Sequence, residues 1–284
     1  MEFEVEIMSG AGNIFSVIDN RERKYPPNLI RKYSNQICTK SYPQNKTEGI
    51  LLIEPSDEPK QDFSVKFFNP DGSFGMMCGN GGRCAVAFAL EKGLFQPKNE
   101  PIKFDVWGQE YSAEIIGTEI KIIFPPPKLI IENKKIETET QHFLGDLIDV
   151  GSPHFIVNFD IISKGTNTNF SNYPITELGR LIRYHKDFLP DGTNVDIFKI
   201  HNDQIFLRTY ERGVEAETGA CGTGAIATAV SVFLKNPNRN SFEIIPTSKE
   251  KLKVVILHDD KKIKEIDLIG GFKFLGKYKI YIDD

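Results

Sequence analysis

A chain of 284 residues with 35 basic and 39 acidic side chains carries a formal charge of −4; 40% of it is hydrophobic and 11% aromatic. That much apolar material excludes a wholly disordered chain, and the mild acidity gives no field for drawing it onto a phosphate backbone, so nucleic acid is not an expected partner. No apolar run approaches the roughly 18–20 residues that span a bilayer, and the opening MEFEVEIMSG lacks the basic start and apolar core of a signal peptide. Four cysteines, none of them in Cys-x-x-Cys, are too few for a disulfide scaffold. The expected class is a reduced, cytoplasmic, globular protein of two domains or one large one, with no membrane partner.

In chain order, Phe3–Ile7 alternates as a strand and meets a glycine-rich loop, Ser9–Asn13; Ile14–Asp19 resumes as a second strand. Pro26–Ser34 predicts a short helix after its proline start. Gly49–Pro55 and Asp62–Phe68 are strands, and Asn69-Pro70-Asp71-Gly72-Ser73 is a turn. Gly79–Leu90 is a helix of small and aliphatic residues, with Gly93 suited to its C′ position. Three short strands follow at Lys103–Val106, Tyr111–Ile116 and Ile120–Phe124. Pro125-Pro126-Pro127 is then a stiff candidate linker. Strands are expected again at Leu129–Ile131, Leu147–Val150 and Phe155–Phe159, then a polar loop over Ser163–Asn172 and a helix over Ile175–His185. Val195–Ile200 and Ile205–Tyr210 are strands before a second small-residue helix, Thr223–Leu234, halted by Asn236-Pro237. Strands at Phe242–Ile245, Lys251–Leu257, Lys262–Ile269 and Phe272–Ile282 close the chain.

Many short strands with few helices argue for α+β. The helices GGRCAVAFAL and TGAIATAVSVFL are apolar nearly all round and too short to span a membrane, so protein must wrap each of them. The halves also repeat. Cys78-Gly79-Asn80-Gly81 and Cys221-Gly222-Thr223-Gly224 lie 143 residues apart, and Gly12-Asn13-Ile14-Phe15-Ser16-Val17 is echoed by Pro153-His154-Phe155-Ile156-Val157, with Asn13 and His154 141 residues apart. The expected fold is therefore two similar lobes, each a curled, mostly antiparallel sheet round a central apolar helix. Their bounds are expected at 1–117, with 270–284 returning, and at 118–269, with an active site in the cleft between them.

Each Cys-Gly-x-Gly opens a helix, where N–H groups without intrahelical partners and the macrodipole make an anion cradle that glycine lets a ligand approach. The same field is expected to lower a thiol's pKa from about 8.5. Two such thiols on opposite sides of one carbon suit removal of a proton from one face and its return to the other. Cys38 and Cys84 read instead as small buried hydrophobes. Neither glycine run continues into the Lys-Ser or Lys-Thr of a phosphate loop, and neither has the full dinucleotide fingerprint.

These segments together resemble the diaminopimelate epimerase family: Phe68-Asn69-Pro70-Asp71-Gly72-Ser73 with Met77-Cys78-Gly79-Asn80-Gly81-Gly82-Arg83, then Gly151-Ser152-Pro153-His154, then Tyr210-Glu211-Arg212-Gly213 with Glu217-Thr218-Gly219-Ala220-Cys221-Gly222-Thr223-Gly224. Asn13 and Gly192-Thr193-Asn194-Val195 fit the same pattern, and the resemblance runs from residue 8 to about 235. It implies a cofactor-independent, metal-free isomerase that interconverts LL- and meso-diaminopimelate in lysine and peptidoglycan precursor synthesis. It implies Cys78 and Cys221 as the acid/base pair, His154 and Glu211 as the groups that tune them, and Gly79, Asn80, Gly222 and Thr223 as the cradle of the reacting carboxylate. Asn13, Asn69, Asn194, Glu211 and Arg212 are the implied binders of the remaining carboxylate and amines. The expected partner is the small-molecule substrate, and a homodimer is admitted as an assembly.

The sequence departs from the family in four places. CTKSYPQNKTE, residues 38–48, lacks the usual glycine-rich acidic loop, and Glu48 stands where the family has an amide or aspartate reaching the site. Ser152 replaces the commoner asparagine, and one extra residue separates Arg212 from Cys221. Two alternatives stay open: a racemase of another amino acid, on the departures at Glu48 and Ser152, and a non-enzymatic thiol redox or anion-binding protein built on the two helix starts.

Overall fold

The computed structural model describes residues 1–74, 79–96, 100–138, 141–164 and 168–282. The chain divides into two compact units, Met1–Ile123 with Ile269–Asp284, and Phe124–Leu268; the division falls just before the proline run.

In the first unit, β1 (Glu2–Gly10) and β2 (Asn13–Asp19) are antiparallel, and the loop expected between them is only a two-residue turn. Ala11 and Gly12 both take positive φ, 54° and 94°, the hairpin geometry whose twist matches that of its strands. Helix α1 (Pro27–Lys40) crosses to β3 (Gly49–Glu54), parallel to β2, and β4 (Phe63–Phe68) returns antiparallel to it. The helix runs six residues past the expected Ser34. The spacing of Ile30, Tyr33, Ser34, Ile37 and Cys38 keeps one stripe buried to its end, against Phe3, Val5, Ile50 and Leu52 of the sheet. Helix α2 (Gly79–Glu91) leads to β5 (Ile102–Val106), parallel to β4, and β6 (Gln109–Ile116) and β7 (Glu119–Phe124) complete a meander. The C-terminal strand Lys273–Tyr281 lies antiparallel on β1.

Every residue of α2 from Gly79 to Ala89 is buried, as an all-round apolar helix requires. It ends where the glycine signal placed it. Leu94 N–H donates to Ala89 O and Gly93 N–H to Leu90 O, with Gly93 at φ 69°, which satisfies the last carbonyls.

The second unit repeats this order. β8 (Leu129–Glu137) and β9 (His142–Asp149) are antiparallel, and β9 pairs antiparallel with β10 (Pro153–Asn158). A short helix α3 (Phe159–Ile162), a 3-10 turn at Phe170–Asn172 and helix α4 (Ile175–Arg183) lead to β11 (Asn194–His201), parallel to β10, and then β12 (Gln204–Glu211) returns antiparallel. After the short β13 (Ala216–Glu217), helix α5 (Gly222–Lys235) leads to β14 (Ser241–Ile245), parallel to β12, with β15 (Leu252–Asp259) antiparallel to it. β16 (Lys262–Gly270) ends the unit's strands. Strand order and sense in β9–β10–β11–β12–β14–β15 thus copy β1 to β6, with α4 and α5 standing where α1 and α2 stand.

Helix α5 touches β9, β10, β11, β14 and β15, so strands enclose it, and only Thr223, Leu234 and Lys235 of its residues are not buried. The expected strands Leu129–Ile131 and Leu147–Val150 are the visible tips of two longer ones. Charged Glu132, Lys134 and Lys135 lie on an exposed strand, and a bulge centred on Asn133 (φ 53°) breaks the alternation.

Candidate active site

In the first unit, the opening of α2 is tied to β2 by a chain of side chains. Glu48 Oε2 accepts from Asn13 Nδ2 at 2.6 Å, Asn13 Oδ1 accepts from Asn80 Nδ2 at 2.5 Å, and Asn80 Oδ1 accepts from Arg83 Nη2 at 2.7 Å. Because a guanidinium only donates and a carboxylate only accepts, both amides have a single allowed orientation. Asn13, Asn80 and Arg83 are buried, and Arg83 also donates to Gly79 O and Gly271 O. Glu48 is exposed overall, yet protein crowding its carboxyl raises its pKa above the ordinary value, opposed by the donors Asn13 and Ile14 N–H. Gly10 permits this close fit: a Cβ there would stand 2.5 Å from Asn80 O. Asn69 holds its turn, its Nδ2 donating to Ser73 Oγ at 2.9 Å. Cys78 lies outside the described residues.

In the second unit Cys221 is the N-cap of α5, and Sγ accepts from Gly224 N–H at 3.4 Å. Gly222 and Thr223 follow it at the first helical positions, where N–H groups lack intrahelical carbonyls. Thr223 Oγ1 is 3.4 Å from Cys221 Sγ and 3.0 Å from His154 Nε2, and Ser152 Oγ is 3.1 Å from the same nitrogen. The other imidazole nitrogen, Nδ1, is 2.6 Å from Asp196 Oδ2, and Asp196 Oδ1 accepts from Thr209 Oγ1 at 2.6 Å. His154 and Asp196 are fully buried.

The lowered thiol pKa expected at Cys221 is not what its surroundings produce. Burial pushes the thiol well above its ordinary range, the negative charges of Glu211 and Asp196 push it further, and the hydrogen bonds from Thr223 and Gly224 only partly offset them. These surroundings favour the thiol of Cys221 over its thiolate. Cys38 and Cys84 are both buried in the core.

Asn194 is largely committed within the unit. Its Oδ1 accepts from Arg212 N–H at 2.8 Å and its Nδ2 donates to Pro153 O at 2.9 Å, so it ties the Glu211–Arg212 turn to the start of β10. Glu215 (φ 59°) braces the same turn, accepting from Gly213 N–H and pairing with Arg183. The half-buried Arg212 guanidinium has no hydrogen bond or ion pair among the described residues, which leaves it open to an anion. Also among the described residues, no cluster of three or more His, Cys, Asp or Glu side chains is disposed to hold a metal, and no helix is long and apolar enough to cross a membrane.

Sequence reasoning missed Asp196 and Thr209. Asp196 is a charge in the apolar run Val195–Phe198, and Gly224 made room for it: a Cβ on Gly224 would meet Asp196 Oδ1 at 2.7 Å and Thr209 Oγ1 at 3.1 Å.

Solved structures of the same fold include a hydroxyproline epimerase from Agrobacterium vitis with bound trans-4-hydroxy-L-proline, which is 16% identical with a TM-score of 0.73 and covers 100% of this chain and 93% of that one. A phenazine biosynthesis protein of the PhzF family from Bacillus anthracis is 11% identical with a TM-score of 0.72, covering 99% and 100%. At these identities the likeness concerns the fold, which is the two-lobed α+β fold expected from the repeat. The model of one family, diaminopimelate epimerase, matches residues 5–121 and 147–270. Proteins named diaminopimelate epimerase from Aquifex aeolicus and Hydrogenobaculum are 35% and 36% identical, each match covering 96% of this chain and 94% and 98% of the relative. A third, from Chlorobaculum tepidum, is 38% identical over 80% of this chain and 82% of its own. The chain belongs to the diaminopimelate epimerase family and is an isomerase.

Proposed function

We propose that the protein interconverts LL- and meso-diaminopimelate by proton transfer between two cysteines, Cys78 and Cys221, acting on opposite faces of the α-carbon and without a cofactor. The lysine and peptidoglycan precursor routes are where that product would be consumed. The observation that carries this reading is the surroundings of Cys221: a buried thiol capping a glycine-flanked helix start, with Thr223, His154 and Asp196 behind it.

The reacting carboxylate lies on the N–H groups of Gly79, Asn80, Gly222 and Thr223, donors that strengthen as charge moves onto it from the planar α-carbon. Of the two thiols, one is ionised at rest and the other protonated, so they titrate as a pair. Burial and the neighbouring carboxylates keep Cys221 protonated, which makes it the resting acid and Cys78 the resting base. Arg212 takes the distal carboxylate in a two-point clasp, and Asn194 and Glu215 hold its turn in place. His154 and Glu211 set the proton affinity of Cys221, the first through Thr223 and the second through its charge. Glu48, bonded to Asn13, and Ser152, bonded to His154, sit where the substrate's remaining polar groups are read.

The test is incubation of the purified protein with LL-diaminopimelate and separation of the stereoisomers. Formation of the meso isomer is expected, abolished in Cys78→Ala and in Cys221→Ala with the fold kept. The second reading, a racemase of another amino acid, draws on the Glu48 carboxylate in place of the family's usual group. Turnover of a mono-carboxylate amino acid in preference to diaminopimelate would favour it.

A further inference from the structure

Arg183 is the last residue of α4, and its buried guanidinium reaches two segments that are distant in the chain. Nη1 donates to Asp191 O at 2.9 Å, and Nε is paired with Glu215 Oε1 at 3.2 Å. The carbonyl of Arg183 accepts from Thr193 N–H at 3.4 Å. One of these segments is the turn that leads into Asn194 and the other is the turn that carries Arg212. A second link joins them, from Arg212 N–H to Asn194 Oδ1 at 2.8 Å.

The backbone on both sides is shaped to this guanidinium. Gly192 takes φ 70°, and a Cβ on it would overlap Arg183 Nη1 and stand 2.5 Å from Arg183 O, so only glycine lets the two segments close on each other. Glu215 holds a left-handed φ of 59°, which a residue with a side chain keeps only where its surroundings impose it. The contacts that impose it are Arg183, Tyr210 Oη, which donates to Glu215 Oε2 at 3.3 Å, and Gly213 N–H, which donates to Oε1 at 3.1 Å. Gly179, one turn before Arg183 on α4, lets the helix lie directly on Tyr210: a Cβ there would stand 2.6 Å from ring atom Cδ2. The end of α4 is thus set against β12, and both turns are anchored to it.

We propose that Arg183 is a positioning residue for substrate binding: from the end of α4 it locks the turn leading into Asn194 and the turn carrying Arg212 into one preset frame, so that the distal carboxylate meets a guanidinium already in place. This rests on the epimerase reading of the site, in which Arg212 takes that carboxylate. A binding group on a loose turn has to be ordered by its ligand, which weakens affinity; a braced turn is ordered before the ligand arrives. The distal carboxylate keeps the same contacts while the α-carbon reacts, so the frame acts on binding and leaves the proton transfer alone.

The experiment measures kcat and KM for diaminopimelate together with backbone amide exchange, read peptide by peptide with mass spectrometry. Arg183→Gln is expected to raise KM by about 10-fold while kcat changes by less than about twofold. It should also speed exchange in both segments, 191–194 and 211–215, with α5 exchanging as in the wild type. Glu215→Gln keeps an acceptor for Gly213 N–H and loses the ion pair. It is expected to raise KM in the same way, and it decides the matter if Arg183→Gln does not fold. An unchanged KM in both variants, or a loss confined to kcat, would overturn the assignment. Exchange is read without turnover, so the two readings fail separately. A wild-type protein inactive on diaminopimelate would count against the epimerase reading, and unchanged exchange in both turns would count against the frame.

Discussion

Thr223 Oγ1 lies 3.0 Å from His154 Nε2, and the bond has a counterpart in the first unit, where Asn80 Nδ2 donates to Asn13 Oδ1. In each unit the residue two places after the motif cysteine is bonded to the residue at or next to the start of the second repeated strand. The repeat therefore extends from strand order down to single hydrogen bonds, while the chemistry differs: an amide pair on one side, a hydroxyl and an imidazole on the other.

That amide pair sits in a chain ending on a buried guanidinium, so breaking it should be costly. Asn80→Leu removes an acceptor from Arg83 and a donor from Asn13. It is expected to destabilise the fold by about 1–3 kcal/mol, read as a lower urea midpoint. An unchanged midpoint would mean the chain contributes nothing to stability.

Gly10 and Gly117 make a controlled comparison. In Gly10→Ala the new Cβ meets Asn80 O at 2.5 Å, a backbone atom that cannot swing aside, so the start of α2 must shift. The expected loss is about 1–3 kcal/mol, together with loss of epimerisation. At Gly117 (φ 60°) a Cβ has open space, and Gly117→Ala is expected to cost only the left-handed strain of about 1–2 kcal/mol with activity retained.

Cys38 gives a pH prediction with a definite sign. Burial raises its thiol from the ordinary 9.0 to about 11 in the folded chain. The unfolded chain ionises first, so the native state binds more protons across that interval. Stability is full below about pH 9 and falls as pH rises towards 11, by about 2–3 kcal/mol. Cys38→Ala should flatten this part of the stability curve relative to the wild type, and an identical slope in both proteins would contradict the assignment.

Arg212 is assigned to binding rather than to proton transfer. Arg212→Lys keeps the charge but loses the planar fork. At about 1.5–3 kcal/mol for a hydrogen bond to a charged group, KM should rise by about 10–150-fold with kcat changed far less. A loss confined to kcat would remove Arg212 from the clasp.

Much of this architecture was legible in the residues. Uniformly apolar α2 and α5 demanded enclosure, glycine ended α2, and the cysteine spacing exposed the repeat. What was not legible depended on contacts between distant segments. β8 hid behind Glu132, Lys134 and Lys135, because an exposed strand with a bulge has no hydrophobic period to read. The far half of α1 is mostly polar, and only its stripe of Ile37 and Cys38 shows why it continues. At the site, a helix start argued for a lowered thiol pKa at Cys221. The opposite sign comes first from burial of the thiol, and then from Glu211 and Asp196, which the sheet brings to it from two other strands.

The central claim, that two separate thiols exchange protons at one carbon, is tested most directly by running the reaction in deuterium oxide and following the α-deuterium of the first product formed. Two-base transfer predicts that each inverted molecule carries solvent deuterium at the inverted centre, while unreacted LL-diaminopimelate stays undeuterated early in the reaction. Inverted product that retains its original α-hydrogen would contradict it.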